Sequence, residues 1–311
     1  MAHTFEHIPV LRDEVVSLFA SVPAGVVVDA TIGGGGHSAA LLASFPDLRI
    51  VGLDRDQAAL DAAAVQLASF GDRASLVRSP FSALEEVVSA GKLGTLSGVL
   101  LDLGVSSPQL DQAERGFSFR ADGPLDMRMD RASGPTAADL VNALPAEQLA
   151  DLFRANGEGR LSNRIARAVV AARPLISTQQ LADVVASAVP AAARRKGHPA
   201  RRVFQALRIE VNDELGELRT VLPAGLSLLS VGGVFAVISY HSGEDRLTKQ
   251  AFADAASGGC VCPPALPCVC GAEPHHRLVF RGARKPSAAE IAANRRAESA
   301  RLRAIVRTES D

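Results

Sequence analysis

The sequence predicts an α/β fold: a Rossmann-like parallel sheet interrupted by an all-helical insertion. Three observations carry that expectation. Four short apolar runs alternate with helical patterns over residues 26–104, residues 111–210 hold helical patterns without strands, and strand signals resume after residue 230. Alternation of strand and helix means parallel pairing through right-handed crossovers.

The elements follow in order. "VVVDA" (26–30), "RIVGLD" (49–54), "ASLVRS" (74–79) and "LSGVLLDLG" (96–104) read as strands buried on both faces. Helical patterns lie between them at 37–44, 57–70 and 81–90. After Gly104 comes "VSSPQLDQAERGFSFRADGPLDMRMDRASGPT", which is rich in turn formers and charge and has no sustained period. A loop of that length is expected to be structured and functional. Helices are predicted at 146–155, 160–172 and 178–189 and again near 201, then a helix at 212–222, strands at 232–240 and 276–282, and a basic C-terminal helix over 294–307. The expected domains are a discontinuous sheet domain, 1–110 with 211–311, and an inserted helical domain, 111–210.

Composition narrows the class of protein. The 311 residues are 47% hydrophobic, enough for a large core or for a core and a smaller second domain. No apolar run is long enough to cross a membrane, and the N-terminus lacks a basic and apolar leader, so a cytoplasmic protein is the expectation. With no Trp and one Tyr, Tyr240, there are few aromatic platforms for stacking single-stranded bases. A net charge of −1 argues against wholesale attraction to polyanions, yet the charge is uneven. Residues 111–210 hold 15 Lys/Arg against 11 Asp/Glu, residues 275–311 hold 9 against 4, and the remainder holds 9 against 19. An acidic body carrying two basic portions fits either ordinary surface variation or a local footprint for nucleic acid.

The run "VVVDATIGGGGHSAALL" (26–42) sets four glycines between a strand and a helix. Gly34, Gly36 and Ala39 satisfy G-x-G-x-x-G/A, and Asp54 ends the next strand 20 positions after Gly34. Such glycines let a ligand approach the backbone, the helix N-terminus favours an anion, and a strand-end carboxylate accepts hydrogen bonds from ribose hydroxyls. The loop alone does not separate NAD from S-adenosylmethionine. No Lys-Ser or Lys-Thr follows the glycines, which disfavours a Walker-type nucleotide site.

"LLDLGVSSPQLDQAERGFSFRADGPLDMRMD" (100–130) is the most distinctive stretch, and it resembles the bacterial 16S ribosomal RNA (cytosine-N4)-methyltransferase family. The resemblance extends through "HIPVL" (7–11), "DATIGGGGHS" (29–38), "GLDRD" (52–56), "PFSAL" (80–84), "GRLSNRIARAVV" (159–170), "HPARRVFQALRIEVNDEL" (198–215), "ISYHSGEDRLTK" (238–249) and "NRRAESARLRA" (294–304). It implies a class I methyltransferase sheet with a helical domain inserted after the fourth strand. It also implies S-adenosyl-L-methionine as cofactor and, as substrate, N4 of a decoding-centre (P-site) cytosine in 16S rRNA, within an assembled or nearly assembled small subunit. The cofactor contacts it implies are Gly35, Gly36 and His37 in the loop, Asp54, Phe81 against the adenine, and Asp102 with Gln109 toward the methyl group. Many amino-directed DNA methyltransferases carry Asp/Asn/Ser-Pro-Pro-Tyr/Phe after the fourth strand; this chain has "DLGVSSPQLD". Asp102, Ser106 and Ser107 are therefore all candidates for the catalytic acceptor, and Phe117 or Phe119 for stacking on the base. Residues 7–11, with His7, are assigned either to a flap over the cofactor or to a homodimer contact. Two other readings stand beside this one: an NAD-dependent oxidoreductase and a non-catalytic ribosome-assembly factor.

For RNA, Arg160, Arg164 and Arg167 share one helical face beside an apolar stripe of Leu161, Ile165, Ala168 and Ala172. "RRKGHPARR" (194–202) is denser, with Arg194, Arg195, Lys196, Arg201 and Arg202, and the 294–307 segment adds a third basic cluster. All four cysteines fall at 260–271 as C-x-C-x₅-C-x-C, so Cys260, Cys262, Cys268 and Cys270 form a candidate structural zinc site or remain reduced thiols. The one-residue spacing within each pair departs from the usual two to four.

Overall fold

The computed structural model describes residues 9–157, 159–191, 197–263 and 269–309. It divides into two compact units, Met1–Gly104 with Gly216–Asp311, and Val105–Leu215.

The first unit is built on a seven-stranded sheet in the order β3-β2-β1-β4-β5-β7-β6. β1 (Gly25–Asp29), β2 (Leu48–Asp54), β3 (Ala74–Arg78), β4 (Leu96–Asp102) and β5 (Leu229–Ser239) are mutually parallel. β7 (Arg301–Arg307) runs antiparallel to β5 and to β6 (His276–Leu278). Side chains alternate across the strands, and each face feeds its own core. Val27, Leu100, Ala236, Ile238 and Ala304 pack on one face with α1 (Arg12–Phe19), α2 (Gly36–Ser44) and α3 (Gln57–Leu67). Val26, Val28, Val99, Leu101, Phe235 and Val237 pack on the other with α4 (Leu84–Ala90) and with Leu218, Val221 and Leu222 of the helix Glu214–Leu228. A sheet covered on both sides explains why its central strands read as continuous apolar runs.

Three expectations need correction. β3 is the sheet edge and only half-buried, since it has one neighbour and fewer contacts to make. The predicted basic C-terminal helix is a 3₁₀ turn, Arg295–Ser299, followed by β7. In β7, Leu302, Ala304 and Ile305 are buried, and the ladder to β5 overrides the helix propensity of an Arg- and Ala-rich segment. The helix predicted from residue 160 starts at Ser162, which leaves Arg160 in the preceding turn. Its buried stripe is Ser162, Ile165, Ala166 and Val169; Leu161 and Ala168 are half-buried and Ala172 is exposed.

The second unit packs the helices Ala137–Ala143, Ala146–Ala155, Ser162–Ala171, Thr178–Ala188 and Ala200–Val211 around Leu149, Phe153, Ile165, Val169, Val185, Val203 and Leu207. Ser177 and Thr136 each form a capping box that starts a helix. The aperiodic loop joins the same core: Phe117, Leu125 and Met127 are buried in it, and the Arg115 guanidinium donates to the carbonyls of Arg128 and Met129 at 3.2 and 3.1 Å. Its side chains follow no period because backbone turns and buried polar bonds, not a regular element, aim them inward. Among the described residues, no helix is long and apolar enough to cross a membrane.

Candidate cofactor and catalytic site

In the sheet, β2 and β3 lie on one side of β1, while β4 and β5 lie on the other. The chain reverses its direction of travel between β1 and β4, and ligands of open α/β sheets bind outside the carboxyl ends of the strands at that point. The glycine run, Asp54 and Asp102 all come from those strand ends.

Local geometry explains the glycines. Gly33 and Gly35 have φ of 50° and 82°, the left-handed region that costs residues with a Cβ about 1–2 kcal/mol. Gly35 is the N-cap of α2, and a Cβ there would come within 3.3 Å of the Ala63 Cα on α3. The first N–H groups of α2 lack intrahelical partners and face the loop as donors for an anion. Pro9, just before the buried Val10 and Leu11, lies over the loop: its Cγ is 2.6 Å from where a Cβ on Gly36 would stand. Of the segment 7–11, Pro9 thus lies against the glycine loop; His7 and Ile8 lie outside the described residues.

Three carboxylates end neighbouring strands. Asp54 closes β2 and accepts from the N–H groups of Gly33 at 3.1 Å and Asp56 at 2.8 Å. Burial pushes its pKa up, and those two backbone bonds oppose the rise. Asp29 closes β1, fully buried, with the Ser38 hydroxyl donating to it at 2.7 Å. Desolvation raises its pKa to about 6, while the Ser38 bond and the nearby His37 pull it down. Asp29 was not singled out as a site residue from the sequence; its place one residue before "ATIGGGG" was the available signal.

Asp102 closes β4 and is held at several points. Its N–H donates to the Thr31 hydroxyl at 2.6 Å, and its Oδ1 accepts from the Tyr240 hydroxyl at 2.8 Å. Tyr240 follows β5, and the register Asp102↔Ile238 brings the two strand ends side by side. Burial and the adjacent Asp102 charge raise the Tyr240 pKa well above its ordinary value, so the phenol remains a donor. The other Asp102 oxygen, Oδ2, lies 3.5 Å from His37 Nε2, and the carboxylate keeps 25% of its surface exposed. His37, at the start of α2, is buried with neither ring nitrogen in a hydrogen bond. Buried imidazole nitrogens with no hydrogen bond fit a site that takes a polar ligand. Sequence reasoning counted Tyr240 only as a scarce aromatic, because nothing local in the chain couples positions 102 and 240.

The remaining expected residues fall as follows. Phe81 opens a 3₁₀ turn after β3 and is half-buried against the α4-side core. Ser106, Ser107 and Gln109 belong to the second unit. Ser106 caps the short helix Ser107–Asp111: its hydroxyl accepts from the Gln109 N–H at 3.4 Å, and Gln109 Oε1 accepts from the Ser106 N–H at 3.0 Å. That reciprocal cap commits the Ser106 hydroxyl to its own helix. Phe117 is 6% exposed in the second core, so presenting its ring to a base would mean unpacking it. Phe119 is half-buried, stacked on the exposed His198 ring at 4.4 Å. Arg160, Arg164, Arg167, Arg201 and Arg202 are all exposed; Arg194, Arg195 and Lys196 lie outside the described residues.

A strand, a glycine loop, a helix N-terminus and strand-end carboxylates at the sheet's switch point define an α/β enzyme built around a nucleoside cofactor. Residues 4–308 match the model of the MraW methylase family, and the chain belongs to that family. It is 51% identical over 307 residues to the ribosomal RNA small subunit methyltransferase H of Heliobacterium modesticaldum, covering 96% of this chain and 98% of that one. It is 50% identical to the protein of the same name from Symbiobacterium thermophilum, covering 98% of both chains. Among solved structures it is similar to an rRNA methylase from Streptococcus thermophilus at 11% identity and a TM-score of 0.42, covering 96% of this chain and 94% of that one. The protein is thus an S-adenosylmethionine-dependent methyltransferase with a class I sheet, and the oxidoreductase and non-enzymatic readings fall away.

Proposed function

We propose that this enzyme transfers a methyl group from S-adenosylmethionine to N4 of a decoding-centre (P-site) cytosine in 16S rRNA, acting in the cytoplasm on an assembled or nearly assembled small ribosomal subunit. The observation that carries the substrate is near-full-length identity of about one residue in two to relatives named as small-subunit ribosomal RNA methyltransferases. The 100–130 loop resemblance supports the choice of base.

The residues of the first unit fit the cofactor by charge and shape. The N-terminus of α2 with Gly35 and Gly36 receives its carboxylate, and His37, whose ring nitrogens make no hydrogen bond, stands in the first turn of that helix. Asp54 takes the ribose hydroxyls, and the half-buried Phe81 lies against the adenine. The cofactor supplies a methyl group made electrophilic by a sulfonium centre. Asp102 then serves as the acceptor: its carboxylate takes a hydrogen bond from the N4 amine, orients the lone pair, and accepts the proton that N4 sheds as the new N–C bond forms and the C–S electrons return to sulfur. Tyr240 fixes Oδ1 of that carboxylate, and Oδ2, 3.5 Å from His37 Nε2, is the oxygen offered to the amine.

The second unit is the RNA-recognition unit in this reading. Arg201 and Arg202 are exposed on the helix Ala200–Val211, whose other face buries Val203, Phe204 and Leu207. The Phe119–His198 stack lies in the same unit, and Arg160, Arg164 and Arg167 add exposed positive charge. Guanidinium groups with few aromatics suit phosphate contacts on a folded RNA surface.

The test incubates purified protein and methyl-labelled S-adenosylmethionine with small subunits from cells lacking the modification, and with naked 16S rRNA, then maps the label. Label on one cytosine N4 of the subunit is expected. Label on another base or atom, or no transfer despite cofactor binding, overturns the proposal.

A further inference from the structure

The loop between the helix Ser242–Ser257 and β6 gathers three thiols that the methyl-transfer reading does not use. Cys260, Cys262 and Cys270 place their sulfurs within 4.8 Å of one another, and none is in a disulfide. The Cys260 and Cys270 sulfurs stand 3.6 Å apart. Two thiolates on a tetrahedral zinc ion, each bonded at about 2.3 Å, are separated by roughly 3.8 Å. The third sulfur needs to move by about an ångström at most to complete the face of such a tetrahedron.

Apolar packing does not account for this convergence. Val261 and Val269, beside the cysteines, are 86% and 88% exposed, so these two side chains turn to water while Cys260, Cys262 and Cys270 turn their thiols toward each other. The alternation explains the C-x-C spacing. In extended backbone, residues two apart share a side, so Cys260 and Cys262 reach one centre with Val261 pointing away. The neck of the loop is pinched as well: Gly258, at φ 60°, lies so close to the returning chain that a Cβ would meet the Pro274 nitrogen at 2.7 Å and Glu273 at 2.8 Å. The Val269 N–H donates to the Cys262 sulfur at 3.4 Å, the backbone support that metal-bound thiolates commonly receive.

We propose that Cys260, Cys262 and Cys270 bind a structural zinc ion that staples this surface loop. Thiolates select a soft or borderline ion, and zinc binds them without redox chemistry. Cys268 lies outside the described residues and is not counted in the site. Loop closure by a metal stabilises the folded chain in the way a cross-link does, independently of the methyl-transfer reaction.

The full-length protein, purified without chelator, is analysed for metals by inductively coupled plasma mass spectrometry and for free thiols by titration under denaturing conditions. About one zinc per chain is expected, with Co²⁺ replacing it to give the intense d–d and charge-transfer bands of tetrahedral thiolate coordination. A Cys260→Ser, Cys270→Ser double variant should lose at least about tenfold in metal content while still binding S-adenosylmethionine in calorimetry, which shows that it is folded. Less than a tenth of a zinc per chain with all thiols free and no cobalt spectrum on the wild type overturns the proposal, as does a Cys260–Cys270 disulfide or full metal content in the double variant.

Discussion

The Asp102 carboxylate is gripped by the Tyr240 hydroxyl on one oxygen and faces His37 with the other. A hydrogen bond to a charged group contributes about 1.5–3 kcal/mol. Tyr240→Phe removes that bond while keeping the ring, so kcat should fall about tenfold or more with the KM for S-adenosylmethionine little changed. Steady-state methyl transfer separates the two; matching losses in kcat and cofactor affinity would make Tyr240 a packing residue only. Asp102→Asn removes the proton acceptor and should cost about 10²–10⁴ in kcat. Asp29 bears on stability instead. Its folded pKa of about 6 exceeds the ordinary 3.8, so between those values the folded state holds the proton that the unfolded chain has released. Stability therefore falls as pH rises from about 4 to 6 and stays lower above it, by on the order of 3 kcal/mol. Asp29→Asn, neutral throughout, should gain on the wild type over that window in denaturant titrations run at several pH values. A difference independent of pH would show that Asp29 is not protonated there.

At the scale of elements, the site depends on how strands end and helices begin. β1, β2 and β4 end in Asp29, Asp54 and Asp102, and the N-cap of α2 is a glycine in the left-handed region. Gly35→Ala adds a Cβ at φ 82° and 3.3 Å from Ala63, and should destabilise the fold by about 1–3 kcal/mol. Thermal unfolding measures this, and a neutral result would mean that the loop relaxes freely. The helix Ala200–Val211 shows the opposite division of labour, with one face in a core and Arg201 and Arg202 exposed. Arg201→Glu with Arg202→Glu should weaken binding to small subunits and lower its salt dependence by about 0.7–0.9 in log–log slope per lost phosphate contact. Cofactor affinity should be unchanged, and equal loss of both would point to a damaged fold.

Across the whole molecule, two units each carry a core of their own, and the chain leaves the sheet after β4 and returns to it before β5. Ligand binding to the first unit should stabilise it by mass action: S-adenosylhomocysteine at a hundred times its Kd adds about 2.7 kcal/mol. A single unfolding transition that shifts upward throughout would show that the units melt together, and a second, unshifted transition that they melt apart.

Much of this was legible in the sequence because its causes are local. Buried parallel strands are continuous apolar runs, a left-handed turn demands glycine, and a carboxylate at a strand end stands beside its own turn, so β1, β2, β4, the glycine loop and Asp54 could be read from nearest neighbours in the chain, while Asp102 entered as a site residue through the family resemblance of residues 100–130. Tertiary structure decided what depends on distant partners. Residues 301–307 became a strand because β5 offered a ladder, Phe117 became core because it packs into the buried cluster of the second unit, and Tyr240 met Asp102 across 138 positions because their strands are neighbours. A hydrogen bond or a packing contact between remote residues leaves no period and no spacing in either segment, so only the folded chain discloses it.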